Sequence, residues 1–175
     1  AAEFGWVSIL NKIHSWNLSI NVNEVNKNRE TPLHKAAQNG HYKAVENLLN
    51  MNAEIDMKNK KAETALMLAV TNHHTITTRI LLDKGSFTQV TDCRNENLMH
   101  RLARISEKAH AIEIMELLDN SNNESLKLAF GRDNDRCLPI HHAAMHGSSA
   151  VFKKLANLNK DSLLEPDRYG RLPIH

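Results

Sequence analysis

The chain has 175 residues and a mass of 19.8 kDa, enough for one compact domain or one segment of a repeat array. Hydrophobic residues make up 41% and charged residues 24%, with no apolar run long enough to cross a bilayer, so membrane insertion is excluded. The net charge of +2 is too small to favour unaided binding to nucleic acid or to an anionic membrane. Cys93 and Cys137 lie far apart and outside any C-x-x-C pair, which favours a reducing, cytoplasmic setting.

The first predicted element is a helix near the start of the chain. Ile9, Ile13, Trp16 and Ile20 recur at the spacing of one helix face. Residues 1–25 are therefore predicted to form a degenerate N-terminal cap for the repeats that follow.

A seven-residue signature then recurs along the chain. It reads T-P-L-H-K-A-A at 31–37, T-A-L-M-L-A-V at 64–70, N-L-M-H-R-L-A at 97–103 and L-P-I-H-H-A-A at 138–144, and a fifth copy starts with L-P-I-H at 172–175. The first three copies are about 33 residues apart, a period typical of repeat proteins. Because the chain ends inside the fifth signature, we expect it to be part of a longer protein.

Each signature predicts the start of a short helix. Pro32 and Pro139 suit the first helical turn, and Thr31 can cap the free N–H groups before it. A second helix follows, with Val45, Leu48 and Leu49 on one apolar face. Alanines of the signature, Ala36, Ala37, Ala69, Ala143 and Ala144, are expected to allow close packing between helices. The predicted core includes Leu33, Leu48, Leu49, Leu66, Leu81, Leu82, Leu117 and Ile140.

This recurring pattern, a signature that starts one short helix and is followed by a second, resembles the ankyrin repeat. The resemblance implies an all-α solenoid of stacked helix-turn-helix units with hairpin-like fingers, in which each unit needs its neighbours to cover its apolar faces. The repeat boundaries that follow are 26–58, 59–91, 92–132, 133–166 and a partial copy at 167–175.

Two copies depart from the pattern. The third is longer, with extra residues between Asp119 and Arg132, where capping residues followed by alternating apolar ones predict a short extra helix or an enlarged finger. A tolerated surface insertion is the alternative there. The second copy carries His73 where a turn glycine is expected, so it is predicted to be less regular.

The histidines raise the question of a metal site. The resemblance implies a structural role for His34, His100, His141 and His175, which share one repeat position. His142 and His146 lie four residues apart on a helix, but no third ligand has suitable spacing. No cofactor or metal is therefore expected. Common catalytic motifs are absent, so we expect no enzymatic activity from this segment.

Polar residues of the fingers and first helices are the candidate binding residues. By the resemblance they line a concave surface: Lys27, Glu30, Gln38, Lys60, Lys61, Glu63, Arg94, Glu96, Arg104, Met145, His146, Arg168 and Tyr169. Glu30, Glu63 and Glu96 share one position, so they are expected to form an acidic stripe that steers a basic partner, beside a basic stripe of lysines and Arg94. Solvated polar residues without a partner are the alternative.

The resemblance implies a non-enzymatic scaffold, monomeric, that binds a partner protein through the concave groove. A targeting or regulatory segment of a larger enzyme or membrane protein, whose active domain follows residue 175, is the alternative. Direct nucleic-acid binding is disfavoured by the balanced charge and the 5% aromatic content. An Asn-rich irregular array is also similar to bacterial effectors, which would place it in the host cytosol.

Overall fold

The computed structural model describes residues 21–105, 108–119 and 124–174, and every regular element in these ranges is helical. The N-terminal helix expected around Ile9 to Ile20 and the fifth-signature residue His175 lie outside the described residues. The chain divides into two compact units, Ala1–Phe87 and Thr88–His175. The predicted all-α class is confirmed.

The first unit contains two described helix pairs. They are α1 (Pro32–Gln38) with α2 (Tyr42–Asn50), and α3 (Ala65–Thr71) with α4 (Thr75–Asp83). Helix α1 packs against α2 and against α3, while α2 packs against α4. The first helix of the first pair thus meets the first helix of the second, which is how stacked repeats bury faces that one pair leaves open.

The second unit adds an extra helix to the same plan. Its elements are α5 (Leu98–Ala103), α6 (Lys108–Asp119), α7 (Glu124–Ala129), α8 (Pro139–Met145), α9 (Ser149–Leu158) and a 3-10 helix at Lys160–Leu164. Helix α5 packs against α8, and α9 packs against α8 and α6. The short helix predicted in the longer third copy is α7, which packs against α5, α6 and α9.

The helix starts follow the predicted capping chemistry. The Thr31 hydroxyl accepts the N–H of His34 at 3.3 Å, with Pro32 in the first turn. Asn97 does the same for α5, accepting the His100 N–H at 3.1 Å. These side chains satisfy N–H groups that the helix itself leaves without a partner.

His73 replaces a glycine in a left-handed turn, as predicted. Its φ is 62°, close to the 69° and 68° of Gly40 and Gly147 at the same point of other repeats. A left-handed backbone is unfavourable for a side chain that carries a Cβ atom. The second copy keeps the turn geometry nevertheless.

The predicted core is partly confirmed. Leu33, Leu48, Leu66, Leu81 and Ile140 are at most 2% exposed. The prediction was wrong for Leu49, Leu82 and Leu117, which are only half-buried, and for Ala144, which is exposed.

The reason lies in the narrow apolar face of each second helix. Adjacent residues on a helix point about 100° apart, so burying Leu48 and Leu81 leaves the following leucine at the edge of the interface. In the longer repeat the buried face is formed by Ala111, Ile114, Met115 and Leu118. Leu117 therefore lies at the edge.

The two leucines of α2 provide a test of this packing. Because Leu48 is 2% exposed, Leu48→Ala is expected to lower the free energy of unfolding by about 2–5 kcal/mol. Leu49→Ala removes the same atoms from a half-buried site and should cost clearly less. Urea unfolding of both variants measures the difference, and equal losses would contradict the assigned face.

Candidate functional site

Five short loops, here called fingers, share one geometry, and each of the first four precedes a helix pair. They span 26–30, 59–63, 92–96, 133–137 and 167–171, and each begins with Asn or Asp. The first residue's Oδ1 accepts the N–H groups of the third and fifth residues, as in the bonds of Asp133 with Asp135 (2.9 Å) and Cys137 (2.8 Å). Its own N–H donates to the carbonyl of the fifth residue, at 3.0 Å in this finger. The fourth residue is left-handed in every finger, with φ between 58° and 75°.

Neighbouring fingers are bonded to each other in one register. The second residue of a finger donates its N–H to the carbonyl of the third residue in the preceding finger. The pairs are Lys60 with Asn28 in the first unit, and Asn134 with Arg94 and Arg168 with Asp135 in the second, at 2.9–3.0 Å. Within each unit the fingers therefore form a row whose spacing is fixed by the backbone.

In the first unit the finger carboxylates bond inside their own repeat. Glu30 accepts the Asn26 side-chain N–H at 2.8 Å and the Lys35 ammonium at 2.9 Å. These bonds hold the pKa of Glu30 below its ordinary value. Glu63 accepts the Asn59 side-chain N–H at 2.9 Å, and both residues are buried.

In the second unit every finger begins with Asp, which has no side-chain amide to donate. In finger 92–96 arginines are the donors instead. Asp92 pairs with the buried Arg101, and Glu96 accepts Arg104 at 2.6 Å and Arg94 at 3.2 Å. Burial opposes ionisation of Asp92, but bonds from backbone N–H groups and from Arg101 outweigh it and lower its pKa. These carboxylates are paired with arginines and turned inward.

The predicted acidic stripe is therefore not exposed. Glu63 and Glu96 are 8% and 2% exposed, and the side chain of Glu30 is 11% exposed. The expectation of solvated carboxylates was wrong because each has a donor within its own repeat. For Glu30 and Glu63 the sequence signal is the Asn four residues earlier, whereas Asp92 supplies no donor to Glu96.

Most of the other candidate binding residues are exposed. Lys27, Lys60, Lys61, Arg94, Met145, His146, Arg168 and Tyr169 are exposed, while Gln38 and Arg104 are partly buried. Tyr169 is 66% exposed, and the guanidinium groups of Arg168 and Arg171 lie 5.5 Å and 5.0 Å from its ring centre. A role in partner binding stays a prediction for all of them.

The repeat histidines have the contacts of structural residues. In His34 and His100 the Nδ1 accepts a backbone N–H at the start of the helix, and the Nε2–H donates at 3.1 Å to a carbonyl of the next finger, Glu63 or Cys137. His141 accepts the Leu138 N–H at 3.1 Å in the same way. A neutral imidazole is required because one nitrogen accepts while the other donates.

One group of buried His and Asp side chains in the described ranges has metal-like spacing. The candidate ligand atoms of His100, Asp133 and His142 lie within 4.8 Å of one another. However, His142 Nε2 donates to Asp133 at 2.8 Å, His100 Nε2 bonds to Cys137, and Arg104 lies 3.4 Å from His142 Nδ1. The nitrogens are already engaged beside a cation, which favours a hydrogen-bonded cluster over a metal site.

His146 stacks on His142, with ring centres 6.4 Å apart, and does not face this cluster as a ligand.

Comparison with known proteins decides the family. A model described as "Ankyrin repeats (3 copies)" matches residues 1–92. The chain belongs to the ankyrin-repeat family.

Several ankyrin-repeat proteins are similar to this chain over part of their length. The "Ankyrin repeat and KH domain-containing protein mask-1" of Caenorhabditis elegans is 34% identical over 120 residues, which are 69% of this chain and 4% of that protein. The "Transient receptor potential cation channel subfamily A member 1" of Homo sapiens is 23% identical over 154 residues, 88% of this chain and 13% of that protein. The chain thus spans a small fraction of these relatives.

Family membership supports a general role. Ankyrin-repeat domains are protein-interaction modules and are generally non-catalytic. No helix in the described part of the chain has both the length and the apolarity to cross a bilayer.

The buried imidazole of His100 predicts an acid-sensitive fold. Burial lowers its pKa from 6.5 to about 4, although the Cys137 carbonyl opposes this shift. As the pH falls from about 6.5 to 4, the unfolded chain takes up a proton that the folded chain does not. Stability should therefore fall by up to ~1.4 kcal/mol per pH unit from this residue. His34 and His141, whose pKa values burial also lowers, add to the loss.

Urea unfolding at pH 7 and pH 5 measures the effect. The variant His100→Gln removes one titrating group, so its stability, although lower at pH 7, should change less between the two pH values. An unchanged pH dependence in this variant would contradict the assignment of a neutral, buried His100.

Proposed function

We propose that this chain is a non-enzymatic scaffold that binds a partner protein through its finger side. The finger side of each unit consists of the exposed finger residues and the exposed residues at the ends of the helices that follow them. In the second unit these helix residues are Met145 and His146, beside the partly buried Arg104. The proposal extends the general role of the family to a defined surface.

The proposal rests on the row of fingers, whose backbones are hydrogen-bonded to each other and present exposed side chains. Each finger is braced by its first Asn or Asp and bonded to its neighbour, so little conformational entropy is lost when a partner binds. Tyr169 and Met145 are 66% and 59% exposed, which supplies large apolar contact area. Aromatic residues beside arginines are the residues that dominate binding energy in protein interfaces.

A cytoplasmic location and a monomeric state are part of the same proposal. Two unpaired cysteines, one exposed and one buried, suit a reducing compartment. The suggested bacterial effector role stays a prediction, and the relatives described above are animal proteins.

A regulatory segment of a larger protein is the second candidate. It is favoured by the small share of each relative that the chain covers, 4% and 13%, and one of these relatives is named a cation channel. In that case the partner of the finger side is another part of the same polypeptide. The binding surface itself is the same in both candidates.

Affinity capture with a matched pair of double variants tests the finger side. The variant Met145→Ala with Tyr169→Ala removes the exposed apolar groups of this surface in the second unit. The control, Ile76→Ala with Tyr42→Ala, removes similar exposed groups from α4 and α2, the second helices of their pairs.

Proteins captured by the wild-type chain and identified by mass spectrometry should be lost with the first variant and kept with the control. With a purified partner, calorimetry should show a cost of about 2 kcal/mol or more for the first variant. Equal losses in both variants, or none in the first, would contradict the proposal.

A further inference from the structure

The fingers of the second unit contain more carboxylates than arginines, yet they expose the arginines. Fingers 92–96, 133–137 and 167–171 contain five carboxylates, those of Asp92, Glu96, Asp133, Asp135 and Asp167. Four of the five are buried, with at most 9% of each residue exposed, and the exception is Asp135. The four arginines, Arg94, Arg136, Arg168 and Arg171, are all exposed.

The burial of the acids follows from the finger geometry. Because Oδ1 of the first residue is held by two backbone N–H groups, Oδ2 is directed to a donor inside the repeat. That donor is Arg101 for Asp92, His142 for Asp133 and Arg171 for Asp167. These three acids therefore stabilise the finger and are already paired, whereas Asp135 is exposed.

The neighbouring helices also supply positive charge behind the fingers. Arg101 is 5% exposed and Arg104 is about one-third exposed, and both contact Glu96. The inward-facing carboxylates of Asp92 and Glu96 are thus matched by cations in the same unit. The charged side chains that the finger row presents to solvent are mostly arginines, three of which also pair with finger carboxylates: Arg94 with Glu96, Arg168 with Asp135 and Arg171 with Asp167.

The first unit shows the same pattern independently. Its two fingers expose Lys27, Arg29, Lys60 and Lys61. Their acids, Glu30 and Glu63, are turned toward Asn26 and Asn59. Both units thus expose cationic finger residues, although only in the second unit do the finger carboxylates outnumber them in the sequence.

We infer that the finger side binds an acidic segment of a partner protein. This inference rests on the proposed function and adds the charge of the partner. It reverses the expectation from sequence, in which an acidic stripe recruits a basic partner. Complementary charge governs the rate of encounter and the choice of partner, so it gives the surface specificity for acidic proteins.

An acidic protein fits this surface better than a nucleic acid. The guanidinium groups of Arg168 and Arg171 lie 5.5 Å and 5.0 Å from the centre of the Tyr169 ring, so base stacking would have to displace arginines. Asp135 places a negative charge in the row beside Arg168, with 3.0 Å between them. A regular phosphate backbone is repelled at this point, whereas a peptide of mixed sequence can place a neutral or basic residue there.

A selection from a random peptide display library on the whole chain tests the inference. Peptides enriched by the wild type should be more acidic than the input library, and their binding should weaken as salt is raised. The variant Arg136→Glu with Arg168→Glu should bind a synthesised enriched peptide at least about tenfold more weakly in fluorescence anisotropy, mainly through slower association. Arg136 and Arg168 are exposed and the partner of Arg168, Asp135, is exposed too, so the fold should remain intact by circular dichroism.

The matched control is Lys153→Glu with Lys160→Glu, which changes the net charge equally at exposed positions outside the fingers. It should leave binding within about twofold, since distant surface charges are screened. Enrichment of neutral or basic peptides, or equal losses in both variants, would overturn the inference while leaving the proposed scaffold role in place. Failure to enrich any peptide would count against both. Tight binding of a DNA duplex that is lost with the arginine variant would overturn the assignment to a protein partner.

Discussion

The carboxamide or carboxylate that opens each finger is the group on which the rest of the binding surface depends. By accepting the N–H groups of the third and fifth residues, it closes a five-residue loop that has no regular secondary structure of its own. The closed loop then offers one N–H and one carbonyl to its neighbours in a fixed register. Loss of this side chain would leave two backbone donors without their partner in the turn.

The histidines of the first, third and fourth signatures connect this loop to the helices. Their Nδ1 atoms lie at the helix start, and in His34 and His100 the Nε2–H reaches the finger of the following repeat. A single side chain therefore joins capping within a repeat to stacking between repeats. Because these contacts require a neutral imidazole, the stability of each unit depends on pH.

The local chemistry could be predicted from sequence, but the partners of the charged groups could not. Pro32 and Thr31 specify a helix start through neighbouring residues alone, and Leu48 follows from helical periodicity. The burial of Glu96 depends on Arg104, which is brought close only when the finger folds back over α5. The edge position of Leu49 depends on how α2 packs against its neighbours, which periodicity does not fix within one residue.

In the first unit the first finger residue holds the buried glutamate four residues later, and a change of charge in the buried pair Asn59 and Glu63 tests this role. In Asn59→Asp a donor is replaced by a second carboxylate beside Glu63, whose Oε2 lies 2.9 Å from the Asn59 nitrogen. We expect Asn59→Asp to lower the free energy of unfolding, measured in urea at pH 7, by about 1–3 kcal/mol. Adding Glu63→Gln should recover much of this loss, because the amide supplies the missing donor. A wild-type stability in Asn59→Asp, or no recovery in the double variant, would contradict the role of Asn59 as the donor to Glu63.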